Sequence, residues 1–97
     1  MEEVQPRVGE CFRHLDGGYY RVVLLGRYVV DEGLMVAYEH LWPFETAIWF
    51  RSLPEWYPRF TRVEETELTT AMLENRSDAQ RRITAAKATR RQRVAPA

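Results

Sequence analysis

The chain has one cysteine, Cys11, in 97 residues, so it closes no internal disulfide and offers no cysteine-rich metal site. A lone thiol fits a reducing compartment, and the expectation is a cytoplasmic protein in which Cys11 stays reduced. No apolar run approaches the ~18 residues of a membrane-spanning helix, so no membrane partner is expected. The opening Met1-Glu2-Glu3-Val4-Gln5 is acidic with no apolar stretch behind it, so no signal peptide is expected. Phosphate-cradling loops are also missing: Asp16-Gly17-Gly18 lacks a following Lys-Ser/Thr and opens no helix. Two histidines, His14 and His40, and one cysteine, with no carboxylate at ligand spacing, make no zinc site. Cys11 and His14 stand three apart on an expected strand and project to opposite faces, which speaks against a Cys–His nucleophile pair. No pair of the 14 acids lies in a clearly apolar setting that would raise a pKa. The chain is therefore not read as an enzyme, and no metal or cofactor is expected.

Two further absences are positional. No acid occurs from residue 81 onward, where Arg81, Arg82, Lys87, Arg90, Arg91 and Arg93 stand. The net charge of zero thus joins an acidic body to a basic tail. Such a split suggests a polyanion partner, or contact between tail and body. No aromatic residue follows Phe60, so the packed part of the chain is expected to end near Val63.

Residues 1–8, with Pro6 and no periodicity, read as a flexible arm, 9–64 as one small β domain, and 65–97 as a helical, basic tail. Residues 10–15 alternate, with Phe12 on one face and Cys11 and Arg13 on the other. Asp16-Gly17-Gly18 is a turn signal. Tyr19 to Val30 has the β-branched and aromatic content of a strand, with a bend or bulge expected at Gly26. After the turn Asp31-Glu32-Gly33 come strands at Leu34 to Leu41, Thr46 to Leu53 and Arg59 to Val63, separated by the proline-bearing loops around Pro43 and Pro54. Five short strands in about 55 residues bury little as an open sheet. Closure into an SH3-like barrel removes the exposed edges. In the tail, Leu68, Met72, Ala79, Ile83 and Ala86 recur at helical steps. Ser77-Asp78-Ala79-Gln80 has the capping-box spacing, so a break near Asn75-Arg76 and a second helix from Asp78 are expected.

The segments Gly9-x-x-Phe12-Arg13-His14, Gly18-x-Tyr20-x-Val22, Val36-x-Tyr38, Trp49-x-Arg51 and Pro58-Arg59-Phe60 together resemble the DUF1653 family, small bacterial and phage-borne proteins of unknown function. The resemblance covers about 55 of the 97 residues and leaves out the tail. It implies an SH3-like barrel and no known activity. The family's His-Ser/Thr-Glu run is replaced here by Gly26 to Glu32, and its Arg-Pro pair by Arg51-Ser52. Any family site built on those residues is therefore altered or lost.

Twelve aromatic residues exceed what so small a core can use, and the surplus points to surface recognition. Candidate binding residues on the β domain are Arg13, His14, Tyr38, Trp42, Trp49, Arg51, Trp56 and Arg59. Competing roles are core packing for Trp49, loop anchoring for Trp42 and Trp56, and ion pairing for Arg51 and Arg59. Two functions follow. The first is a protein-interaction module or small regulator whose helical tail completes the interface or forms a homodimer. The alternative is a nucleic-acid-binding protein in which Arg81, Arg82, Lys87, Arg90, Arg91 and Arg93 meet phosphates while barrel aromatics stack bases. The acidic body opposes the second.

Overall fold

The computed structural model describes residues 4–94. It holds five strands, β1 (Cys11–His14), β2 (Tyr19–Arg27), β3 (Leu34–Trp42), β4 (Ile48–Ser52) and β5 (Phe60–Val63). Three helices join them: α1 (Leu53–Trp56), α2 (Glu65–Ala71) and α3 (Arg76–Val94). All strand pairs are antiparallel, in the order β4-β3-β2-β1-β5. The chain thus makes a four-strand meander and then returns β5 to the outer side of β1. The sheet is open, with β4 and β5 as its edges.

β1 ends where Asp16-Gly17-Gly18 turns the chain. Gly17 sits at φ 114°, a conformation that side chains with a Cβ rarely adopt, and lies under α3. β2 stops at Arg27, short of the expected Val30. The cause is local: the Asp31 carboxylate accepts the Gly33 N–H, and Tyr28 N–H bonds to Gly33 C=O, closing a wide turn. These turn bonds override the strand propensity of Val29 and Val30, which are left exposed at the tip. Nor does the irregularity fall at Gly26, which pairs regularly with Met35. It falls at Val23, skipped between the Val22–Tyr38 and Leu24–Ala37 pairs, and at Leu41. Bulges of this kind need no glycine.

The main core joins Phe12, Val22, Val36, Tyr38, Trp56 and Phe60. Trp56, expected in a surface loop, is its centre at 1% exposure. Pro54 starts the one-turn helix α1, which swings Trp56 under the sheet. There it stacks on Phe60 at 3.8 Å and meets Phe12 and Tyr38 edge-on. A second core lies on the other face of β1, where Cys11, Tyr19 and Leu68 pack beneath α2. Both faces of β1 are thus covered, and Cys11 is buried along with Phe12. Burial pushes the Cys11 thiol up, with Glu65 adding to the effect. α2 is fastened by carboxylates that bond across to the sheet, Glu67 to Arg13 and the Tyr19 hydroxyl, Glu65 to both terminal nitrogens of Arg21.

The break in the tail occurs at Asn75, but α3 begins at Arg76 rather than Asp78. The cap is Asn75, whose side-chain oxygen accepts the Asp78 N–H at 3.0 Å, so the Ser77 capping box is not the one that forms. α3 lies on the chain's own body: Ala79 and Ile83 are buried, Ile83 against Gly17. Arg76 and Gln80 both donate to the Pro43 carbonyl, at 2.7 and 2.8 Å. Of the apolar stripe expected along this helix, Ala79 and Ile83 are covered by the chain's own body, while Ala86 stays exposed. In the expected N-terminal arm, residues 1–3 lie outside the described part, while Pro6 is buried and Arg7 and Glu10 close a short turn.

Candidate ligand-binding cleft

Between the sheet and α3 runs a cleft of about 580 Å³. Its floor follows from strand alternation and register. Tyr20, Tyr38 and His40 sit on the inward face of β2 and β3, and His14 and Phe60 come from β1 and β5. The rings pack edge to face, with Tyr20 at 5.3 Å from Tyr38, 4.5 Å from His40 and 5.5 Å from Phe60. β4 contributes Trp49 and Arg51 on the same face, two residues apart, and α3 closes the other side with Ile83, Lys87, Arg90 and Arg91. Four cations thus face two carboxylates, Asp16 and Glu45.

The charged groups differ in how far they are committed. Arg90 donates from Nε and Nη2 to both oxygens of Asp16, at 3.1 and 2.8 Å, and ties α3 to the first turn. Burial alone would raise the Asp16 carboxyl, but the Arg90 fork outweighs it and holds the group below its usual range. Arg51 makes a long contact with the Tyr38 hydroxyl and one with Glu55 at 3.5 Å. Lys87 and Arg91 are exposed at the rim.

Both histidines are neutral. Burial pushes His14 and His40 down to about 4, against a weaker opposing pull from Asp16 on His14. Each also accepts a backbone N–H on one ring nitrogen: His14 Nδ1 from Asp16, and His40 Nε2 from Phe44, both at 3.0 Å. The second nitrogen of each ring therefore carries the proton, and that of His40 is turned to the Trp42 backbone. Burial likewise pushes the Tyr20 hydroxyl up to about 12, so it too stays protonated.

The structure brings together members of both expected sets. His14, Tyr38, Trp49 and Arg51 from the β domain meet Lys87, Arg90 and Arg91 from the tail. The remaining candidates lie elsewhere. Arg13 is paired with Glu67, Arg59 donates to the Glu55 carbonyl, and the Trp42 ring sits 5.9 Å from the Arg76 guanidinium as an anchor for the tail. Trp56 is core. Arg81 and Arg82 are paired with Asp78 and Glu74, and the Arg93 side chain lies outside the described residues. Sequence reading missed Asp16, Tyr20, His40, Phe44 and Ile83 as cleft residues. A carboxylate in the Asp16-Gly17 turn was visible, but its partner stands 74 residues away and no local pattern joins them.

Cations beside ring edges suit recognition of a planar anionic ligand. Cys11 lies outside the cleft, in the second core. Among the described residues no group of three or more His, Cys, Asp or Glu could hold a metal ion, and no helix is long and apolar enough to cross a membrane. No protein-family model, curated protein or solved structure matches the chain.

Proposed function

We propose that the chain is a non-enzymatic binding protein whose cleft takes single-stranded nucleic acid, or the nucleotide at its end. One observation carries this reading: aromatic residues of the sheet and cations of the tail, far apart in sequence, line the same cleft. Aromatic rings and guanidinium planes receive bases, and exposed Lys and Arg receive phosphates. The cleft volume falls in the range of ligand-sized sites. The 14 acids, nearly all outside the cleft, repel phosphate and favour a short ligand over a long duplex. An SH3-like barrel of the DUF1653 kind belongs to the same proposal. A partly open barrel with the strand order β4-β3-β2-β1-β5 keeps β4 and β5 as its two edges.

The test is fluorescence anisotropy with labelled single-stranded DNA, single-stranded RNA and duplex DNA, at low and physiological salt. The expected result is preference for single strands. Lys87→Ala and Arg91→Ala should each reduce the salt slope by about one phosphate contact, whereas Arg81→Ala should leave it unchanged. No binding at low salt by the full chain, or an equal effect of Arg81→Ala, discards the reading.

A second reading, a protein-interaction module, is favoured by exposed apolar residues of edge strand β4, with Ile48 and Phe50 side by side on the face away from the cleft. Exposed apolar patches of this kind mark protein contacts. It predicts capture of a protein partner that Phe50→Lys abolishes and that Lys87→Ala leaves intact.

A further inference from the structure

β4 is a bare edge. It has no lysine and no proline within its five residues, and Arg51 is its only charge. Sheet edges of natural proteins are usually shielded by such residues or by a covering element. Here Trp49 and Phe50 stand at 55% and 67% exposure.

The backbone of this edge has a definite phase. His40 N–H donates to Ala47 C=O, which fixes where the ladder bonds between β3 and β4 fall. Alternation then points the N–H and C=O groups of Trp49 and Arg51 toward β3. Those of Ile48 and Phe50 point away, to the open side. A strand arriving antiparallel can therefore bond at Phe50.

The side chains are self-complementary in one register. If the arriving strand is another β4 centred on Phe50, each Phe50 faces its counterpart, Ile48 faces Ser52, and Trp49 faces Arg51. The Trp49–Arg51 pairs then occupy the closer, non-hydrogen-bonded positions, where a guanidinium meets an indole. On the opposite face, register aligns Leu24, Ala37 and Phe50 in one row across three strands. Leu24 and Phe50 are exposed. The same pairing would continue that apolar row without interruption from one chain into the other.

We infer that β4 pairs antiparallel with β4 of a second copy about a two-fold axis at Phe50, so that Arg51 of each copy reaches Trp49 at the rim of the other's cleft. The interface is isologous and closes as a dimer. Because Trp49 and Arg51 both line the cleft, two clefts meet at the axis and each gains a cation from the other chain. The pairing does not rest on what the cleft binds.

Sedimentation equilibrium of the full chain over a range of concentrations tests it. The expected result is a monomer–dimer equilibrium that Phe50→Lys weakens by about tenfold or more, because like charges then face each other across the strands. Phe50 is exposed, so the variant should keep its far-ultraviolet circular dichroism, and that spectrum is recorded alongside. Cysteine placement tests the register. Phe50→Cys should form an oxidised dimer, since paired Cα atoms at ~5.5 Å lie within disulfide reach. Ile48→Cys should not, since its counterpart there is Ser52. A wild-type chain that stays monomeric, a dimer that survives Phe50→Lys, or equal cross-linking at both positions overturns the inference. Oligonucleotide binding measured on monomeric Phe50→Lys separates this outcome from the fate of the cleft reading.

Discussion

Single side chains in this protein are set by burial more than by type. Trp56 is the plainest instance. Its indole is enclosed by Phe12, Tyr38 and Phe60, so Trp56→Ala should remove about 3–5 kcal/mol of stability, read by denaturant titration. The histidines give a pH signature. Both have folded values near 4, below the usual 6.5, so the unfolded chain binds more protons between those limits. Stability is therefore full above about pH 6.5 and declines as pH falls toward 4, by on the order of 1 to 2 kcal/mol for each histidine at pH 5. Thermal melts at pH 7 and pH 5 measure it, and His40→Gln should shrink the difference between them. Cys11, buried and with its thiol pushed up, should resist thiol reagents until the protein unfolds.

At the scale of elements, what was legible in the sequence and what was not divide by range. Strand composition, the Asp16-Gly17-Gly18 turn and the break at Asn75 depend on near neighbours, and they stand in the sequence within three residues of where they stand in the fold. The position of α1 was hidden. Pro54 reads as a stop, yet it opens a helix, and only the space beneath the sheet decides that Trp56 turns inward. The cleft was half legible. Its aromatic and basic residues were each visible as candidates, but their meeting depends on how α3 docks. That docking rests on Gly17, where an added Cβ would lie 3.2 Å from Ile83 Cγ1 at a φ of 114°. Gly17→Ala should therefore lower stability by about 1–3 kcal/mol and speed amide exchange in α3 ahead of β2 and β3. Uniform exchange across the chain would count against α3 as a separately held element.

At the scale of the whole molecule, an acidic body and a basic tail are joined by ion pairs rather than held apart. Arg90 is tied to Asp16 of the body, and Arg82 and Arg81 pair within the tail with Glu74 and Asp78, so three of the six basic residues from 81 onward are paired on their own chain. Lys87 and Arg91 stand at the cleft mouth, where the charge split seen in the sequence becomes a local positive field.

The tie between Asp16 and Arg90 also has a consequence for synthesis. A ribosome releases the first turn long before the last helix. The Asp16 carboxylate meets its partner only after a guanidinium 74 residues later has emerged. β1 likewise waits for β5 to cover its outer side. The native contacts of the first turn are thus completed by the C-terminal helix, and a chain cut short before Arg90 lacks the guanidinium that pairs with Asp16.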